Sequence, residues 1–395
     1  MLSLPRARFK LEFERDALIA LLSAVFVVGV LFWKLGTVTP GLGPNEVAAR
    51  TASASAHLLY NQPVNAPHNL WLYLLAKAHA RSFFWLRSVS VAFAIVFCVA
   101  FYKIARSWFG KSVAWLTTLL FTTTPLLLLA GRSVSPEIMY LTPMLLAAVY
   151  FWLTRLEKAS PPIYLGLIAL TAICLYVPGG IWLIALGYFF AKNGFRKLYG
   201  HFPKKLSLIG LLLFLLIIAP LVDSLIKQPH LARQLALVPA TWPAPFTALR
   251  QIGWSAVGLV WHSGAHADLQ IGKLPLINAA QTILTIFGVM ALFSRARVKA
   301  CGVALVILLA VVAAGLNDNT TILLIALPAL MIFTAAGLRY LIIEWQSIFP
   351  RNPIPRTFAY VLVVSVCAVS LIYGVRYSLA AWPNTVSTRA TYVLK

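Results

Sequence analysis

The sequence predicts an all-α, polytopic membrane protein. Three observations carry that prediction. The chain is 61% hydrophobic with a mean hydropathy of +0.84. Only 11% of its residues are charged, where a soluble domain is nearer a quarter. The apolar residues also gather into runs of spanning length, and 395 residues leave room for about ten helices of roughly 20 residues with short loops. The whole chain, 1–395, reads as one membrane-embedded domain with no separate soluble domain and no internal repeat.

In order, the apolar segments are 17–38, 88–106, 112–131, 138–154, 162–177, 180–191, 206–226, 276–294, 300–316, 321–343 and 357–377, about eleven in all. The fifth and sixth meet at Val177–Gly180, "VPGG", which predicts a tight hairpin. The basic residues alternate. With the N-terminus inside, twenty of the 33 Lys and Arg residues fall in short inner segments, among them Lys103, Arg106, Arg155 and Arg339. An odd number of spans puts the C-terminus outside. Two long segments, about 39–87 and 227–275, then lie outside. Both carry apolar periodicity with Trp, Phe, Lys and Arg, which predicts interfacial helices near 45–60 and 240–262.

A formal charge of +23 raises the question of nucleic acid. The cations come in small groups between apolar runs, so they are assigned to topology and to membrane lipids, with no nucleic-acid partner. The four cysteines, Cys98, Cys174, Cys301 and Cys367, lie inside apolar runs and predict neither a disulfide framework nor a metal cluster. The first apolar run lacks a small-residue cleavage site and reads as a retained helix.

The polar chemistry gathers on the outer side. Of ten acidic residues, Glu46, Glu137, Asp223, Asp268 and Asp318 fall there, with six of the seven histidines. Glu46 follows "GLGPN". Pro44 opens a helix, Asn45 and Glu46 fill its first turn, and Arg50 and His57 continue the sequence beyond it. A helix-start carboxylate paired with Arg50 and a base at the membrane surface are both open readings of Glu46. Glu137, in "GRSVSPEIMY", sits in a tight loop where Ser135 can cap the next helix, with Arg132 the nearest charge partner. "WHSGAHAD" holds His262, His266 and Asp268 within seven residues, a weak metal signal.

The order of these pieces resembles the GT-C glycosyltransferases, in the branch of bacterial aminoarabinose transferases and protein O-mannosyltransferases. The resemblance rests on the Pro44-Asn45-Glu46 helix start, "NAPHNLWLYLLAK", "WLRSVSVAF", "WFGKSVAWLTTLLFTTTPLLLLAGRSVSPEIMYL" and "GLNDNTTILLIALPALMIFTAAGL". It covers roughly residues 15–340. It implies inverting transfer of a sugar from a polyprenyl-phosphate donor to a lipid, glycan or protein acceptor at the outer face of the plasma membrane.

The resemblance also implies roles. An acid in the first outer loop assists attack by the acceptor, and a second acid before the fourth span helps hold the site. Members commonly show Pro-Asp-Glu, whereas this chain has Pro44-Asn45-Glu46. Glu46 is therefore the expected base and Glu137 the second acid. The Glu-Lys-Pro of aminoarabinose transferases is also missing, since Asn65 and Ala66 precede Pro67, so a divalent metal ion stays an open question. The donor, with its phosphate, and the acceptor are expected to meet Asn45, Arg50, His57, His68, Arg87, Arg132, Arg233, Arg250, His262, His266, Asp268, Asn317 and Asp318. Two rivals stand beside this reading. A transporter or flippase for a lipid-linked or anionic substrate predicts ionisable groups near mid-membrane. A non-catalytic relative that binds a lipid-linked sugar is suggested by Asn45.

Overall fold

A computed structural model describes residues 5–80, 82–155, 160–261, 271, 274–348 and 353–393. They form helices joined by short connections. The first, α1 (Pro5–Phe32), leads into three short helices, α2 (Pro44–Ala52), α3 (Ala56–Asn61) and α4 (Ala66–Lys77). Then come α5 (Phe83–Phe109), α6 (Lys111–Thr123), α7 (Pro125–Arg132), a 3-10 turn (Pro136–Leu141) and α8 (Thr142–Leu153). The middle of the chain holds α9 (Pro161–Cys174), α10 (Gly180–His201), α11 (Lys204–Lys227), α12 (His230–Leu235) and α13 (Pro245–Val260). The last third holds α14 (Ala279–Arg295), α15 (Arg297–Leu316), a 3-10 turn (Thr320–Ile325), α16 (Leu327–Ile348), α17 (Pro353–Arg376) and α18 (Val386–Thr391).

A helix lies over each expected apolar segment. Among the described residues, six helices are long and apolar enough to cross a membrane, and the bent pair α6–α7 makes seven, while α1, α9 and α14 have shorter apolar stretches. The protein is a multi-pass membrane protein. Helices also form where interfacial ones were expected, as α2, α3 and α13. On α13, Phe246 and Leu249 are largely exposed, as is Trp242 just before it.

Two features of the core show how the chain packs without charge. The helices α14 and α16 cross at Gly288 and Gly337. A Cβ on Gly288 would fall 1.7 Å from the Phe333 carbonyl oxygen, and one on Gly337 would fall 1.9 Å from that of Leu284. Small residues permit this approach, and Thr285 and Thr334 then share a hydrogen bond of 2.9 Å across it. The third apolar segment, expected to be continuous, bends by 61° at Thr124. Pro125 cannot donate to the helix ladder. The Leu120 carbonyl accepts from the Thr124 hydroxyl at 2.8 Å and from the Gln281 amide at 3.3 Å.

The connections sort to two ends. Asn65 N–H donates to the Tyr176 carbonyl, Gly179 N–H to that of Leu235, and the Trp182 indole to that of Ala236. Ser224 bonds the Tyr60 carbonyl, and Asn317 bonds that of Leu237. These segments are the ones expected outside, and Val177–Gly180 is the expected tight connection among them. At the other end Arg155 donates to the Ser107 carbonyl and Arg339 to that of Trp108. Along α5, Ser107 follows Arg87, near the outer end of the helix, by twenty steps, a rise of about 30 Å.

Candidate functional site

The first outer loop is built around one buried ion pair. Pro44 starts α2, and Glu46 in its first turn reaches back to accept the Gly43 N–H at 3.1 Å. The expected partner, Arg50, is exposed on the same helix. Glu46 pairs instead with Arg87 of α5, which is 41 positions away. Arg87 Nε donates to Oε1 and Nη2 to Oε2, both at 2.9 Å, and Val134 N–H donates to Oε1 at 2.8 Å. Glu46 is 2% exposed and Arg87 1%. A carboxylate offers about four lone-pair sites, and four donors occupy those of Glu46. In this arrangement it has no open site for a proton from an acceptor hydroxyl.

Arg87 is equally committed. Its remaining donors hold the Leu35 carbonyl at 3.2 Å, the Thr39 hydroxyl at 2.8 Å and the Gly41 carbonyl at 3.1 Å. Arg132, at the end of α7, turns its guanidinium to the C-terminal end of α1. It donates to the Val30 carbonyl, to that of Leu31 at 3.3 Å and to that of Trp33 at 2.7 Å. The last carbonyls of a helix lack partners within it, so Arg132 caps α1 from outside the helix. Both arginines were expected to meet the donor phosphate; Arg87 is spent on Glu46 and the loop oxygens, and Arg132 on the carbonyls at the end of α1. Together with Glu46, Thr39, Ser133, Ser378, Trp382 and Tyr392, they line a cavity of about 10 Å³. That is near the threshold for a single water and far below the room a sugar phosphate needs.

The C-terminal segment closes this group. After α17 comes a π turn (Tyr377–Ala381), then a 3-10 turn (Trp382–Asn384), then α18. Tyr392 lies so close to the first loop that a Cβ on Gly43 would sit 2.8 Å from its ring. The tail, which the sequence leaves as a short outer end, is part of the loop's packing.

Glu137 stands one short step away. Ser133 lines the cavity and Val134 N–H binds Glu46. Ser135 N–H then reaches the Ser90 hydroxyl of α5 at 3.3 Å, while the Ser135 hydroxyl donates to Glu137 Oε2 at 2.5 Å. His68 Nε2 lies 2.9 Å from the same Ser90 hydroxyl. His68 is fully buried, and that burial pushes its pKa down to about 4. Glu137 itself is half-buried at the start of the 3-10 turn.

The other expected site residues are spread out. Asn45, Arg50, Arg233, Arg250 and Asp318 are exposed, and Asn317 is half-buried with its amide on the Leu237 carbonyl. His57 is exposed beside Asn61 at 3.3 Å. His262, His266 and Asp268 lie outside the described residues. Among the described residues, no three of His, Cys, Asp or Glu gather as a metal site. Among the described residues, the buried charges Glu46, Arg87 and Arg132 sit at one end, where a transport path would call for them near mid-span.

Ser90, Thr39, Ser378, Trp382 and Tyr392 complete the group, and none was expected from the sequence. Only Ser90 carried a signal, since it follows Arg87 by three positions and so shares its helix face.

Residues 61–222 match the family model for dolichyl-phosphate-mannose-protein mannosyltransferase. The structure of ArnT from Cupriavidus metallidurans in the apo state aligns with a TM-score of 0.58 at 13% identity, over 92% of this chain and 76% of that one. The chain has the GT-C fold. The expected resemblance thus appears in both the sequence match and the architecture. ArnT from the same organism bound to undecaprenyl phosphate aligns with a TM-score of 0.49 at 14% identity, over 95% of this chain and 76% of that one. The comparison with curated proteins gives no match. The matched stretch contains His68, Arg87, Arg132 and Glu137 and begins after Glu46.

Proposed function

We propose that the protein is a glycosyltransferase that moves a sugar from a polyprenyl-phosphate donor to an acceptor hydroxyl at the outer membrane face. The observation that carries this reading is the family match, whose description names a lipid-phosphate-linked sugar and whose span includes Glu137 and its supports. Glu137 takes the base role and Glu46 the structural one. The acceptor oxygen attacks the anomeric carbon from the face opposite the phosphate. The carbon–oxygen bond to phosphate breaks, polyprenyl phosphate leaves, and the acceptor proton passes to Glu137, so the sugar's configuration inverts. Ser135 holds one carboxylate oxygen and leaves the other for the proton. Among the described residues, Arg50, Arg233 and Arg250 are exposed in the segments expected outside and are the cations assigned to the donor phosphate.

The test is deletion of the gene, mass spectrometry of the glycolipids and glycoproteins that change, and complementation with variants. Glu137→Gln should restore sugar transfer at a rate lower by about 100- to 10,000-fold, with an unchanged melting temperature. A Glu137→Gln protein working at the parental rate, beside a folded but inactive Glu46→Gln protein, would return the base role to Glu46.

A second reading has its own observation. Asn45 is exposed at the position where the resemblance implies an acid, and Glu46 is fully engaged. A protein that binds a lipid-linked sugar without transferring it would show both. It predicts no altered glycan on deletion, together with retention of the polyprenyl-phosphate sugar by the purified protein.

A further inference from the structure

At the end opposite Glu46, α5 and α8 part to leave a cavity of about 230 Å³, lined by Lys103, Arg106, Ser107, Phe151, Trp152 and Arg155. Three of those side chains are cations. Arg155 donates to the Ser107 carbonyl at 2.8 Å, which draws its guanidinium over the end of α5. The Lys103 ammonium lies 5.9 Å from the Trp152 ring centre. Arg106 falls in the last turn of α5, and Lys103, Arg106 and Arg155 are all exposed. None of the three forms an ion pair with a described carboxylate, in contrast to Arg87 and Arg295.

The approach to this cavity is apolar. Val96 and Val99 are exposed on α5, 43% and 54% respectively. With Lys103 and Arg106 they are spaced by three, four and three residues, so the four share one helix face. Val99 sits about 6 Å along the axis from Lys103. Trp152, 52% exposed, stands beside the cations, as tryptophans do at the edge of the hydrocarbon layer. Charge at one end of a stripe and exposed valines at the other match the two parts of a lipid molecule.

We propose that this cavity is a binding site for an anionic phospholipid. The phosphodiester sits among Lys103, Arg106 and Arg155, the glycerol backbone lies near Trp152, and an acyl chain runs along Val96 and Val99. Basic pockets between helices on the inner side of membrane proteins hold such headgroups. The site is independent of sugar transfer and stands or falls apart from it.

The experiment is native mass spectrometry of the delipidated full-length protein, titrated with phosphatidylglycerol, with phosphatidylcholine and with inorganic phosphate. Phosphatidylglycerol should bind in preference to phosphatidylcholine. The double variant Lys103→Gln/Arg106→Gln should weaken that binding by about 30-fold (about 2 kcal/mol for two basic residues). Lys103→Arg should bind as the parent does, which separates lost charge from lost folding. Equal retention of the two lipids, or no loss in the double variant, overturns the proposal. Displacement of phosphatidylglycerol by millimolar phosphate also overturns it and leaves a free-anion site.

Discussion

The two ends of the protein use the same residue types in opposite ways. At the Glu46 end, Arg87 and Arg132 are buried, and their donors are consumed by carbonyls, a hydroxyl and one carboxylate. At the other end, Lys103, Arg106 and Arg155 are exposed around an open cavity. An arginine can therefore hold a loop or wait for an anion. Which it does depends on whether unpartnered backbone oxygens lie within reach. Past the end of α1 the chain turns sharply, through Leu35, Thr39 and Gly41, and exposes several such oxygens. At the end of α5 the Ser107 carbonyl takes one donor of Arg155, and the remaining charge stays open.

The largest test of this contrast is Arg87→Met. Removing one partner of a buried pair leaves a carboxylate uncompensated, and about 3–5 kcal/mol of stability should be lost. Unfolding followed by tryptophan fluorescence in detergent would show it. Adding Glu46→Leu to Arg87→Met should restore part of that loss, because both charges then go. If Arg87→Met melts as the parent does, the pair is not what holds the first loop.

Next in size is a pH effect at His68. Its folded pKa, about 4, lies below its ordinary 6.5. The unfolded chain therefore takes up a proton that the folded one refuses. The stability tied to neutral His68 is fully present above pH 6.5 and is lost as pH falls from there toward 4, by at most about 3 kcal/mol. A pH series of melting temperatures for the parent and for His68→Phe should diverge in that window. Parallel curves would mean that His68 is not held neutral.

Gly43→Ala comes third. The added methyl meets the Tyr392 ring, and overpacking of that kind costs about 1–3 kcal/mol. Tyr392→Ala in the same chain should relieve the clash. An additive pair would separate the tail from the first loop. The smallest effect sharpens the comparison from the other end: Arg106→Gln should change stability by no more than about 0.5 kcal/mol. A larger loss would show that the open end is also braced by its cations.

Much of the architecture was legible because hydrophobicity is local. The apolar runs, the hairpin at Val177–Gly180, the helix start at Pro44 and the short helices of the outer segments each depend on a few neighbouring residues. The ends of the spans read less well. Pro125 lies within the third apolar segment, yet the bend there also depends on Gln281 being placed to reach the Leu120 carbonyl. Glu137 was legible for the same local reason, whereas Ser135, expected to cap the next helix, turns its hydroxyl to the Glu137 carboxylate instead.

The partner of Glu46 was not. Arg50 is four residues away on the same helix, the partner that local spacing offers. Packing α5 against the first loop instead brought Arg87, whose flat guanidinium can meet both carboxylate oxygens and three backbone or hydroxyl oxygens at once. The sequence by itself determined a multi-pass helical bundle, because the length and apolarity of a span follow from the solvent around it. Only the tertiary structure decided that Glu46 is enclosed and Glu137 partly open, because burial and hydrogen-bond saturation depend on residues distant in the chain.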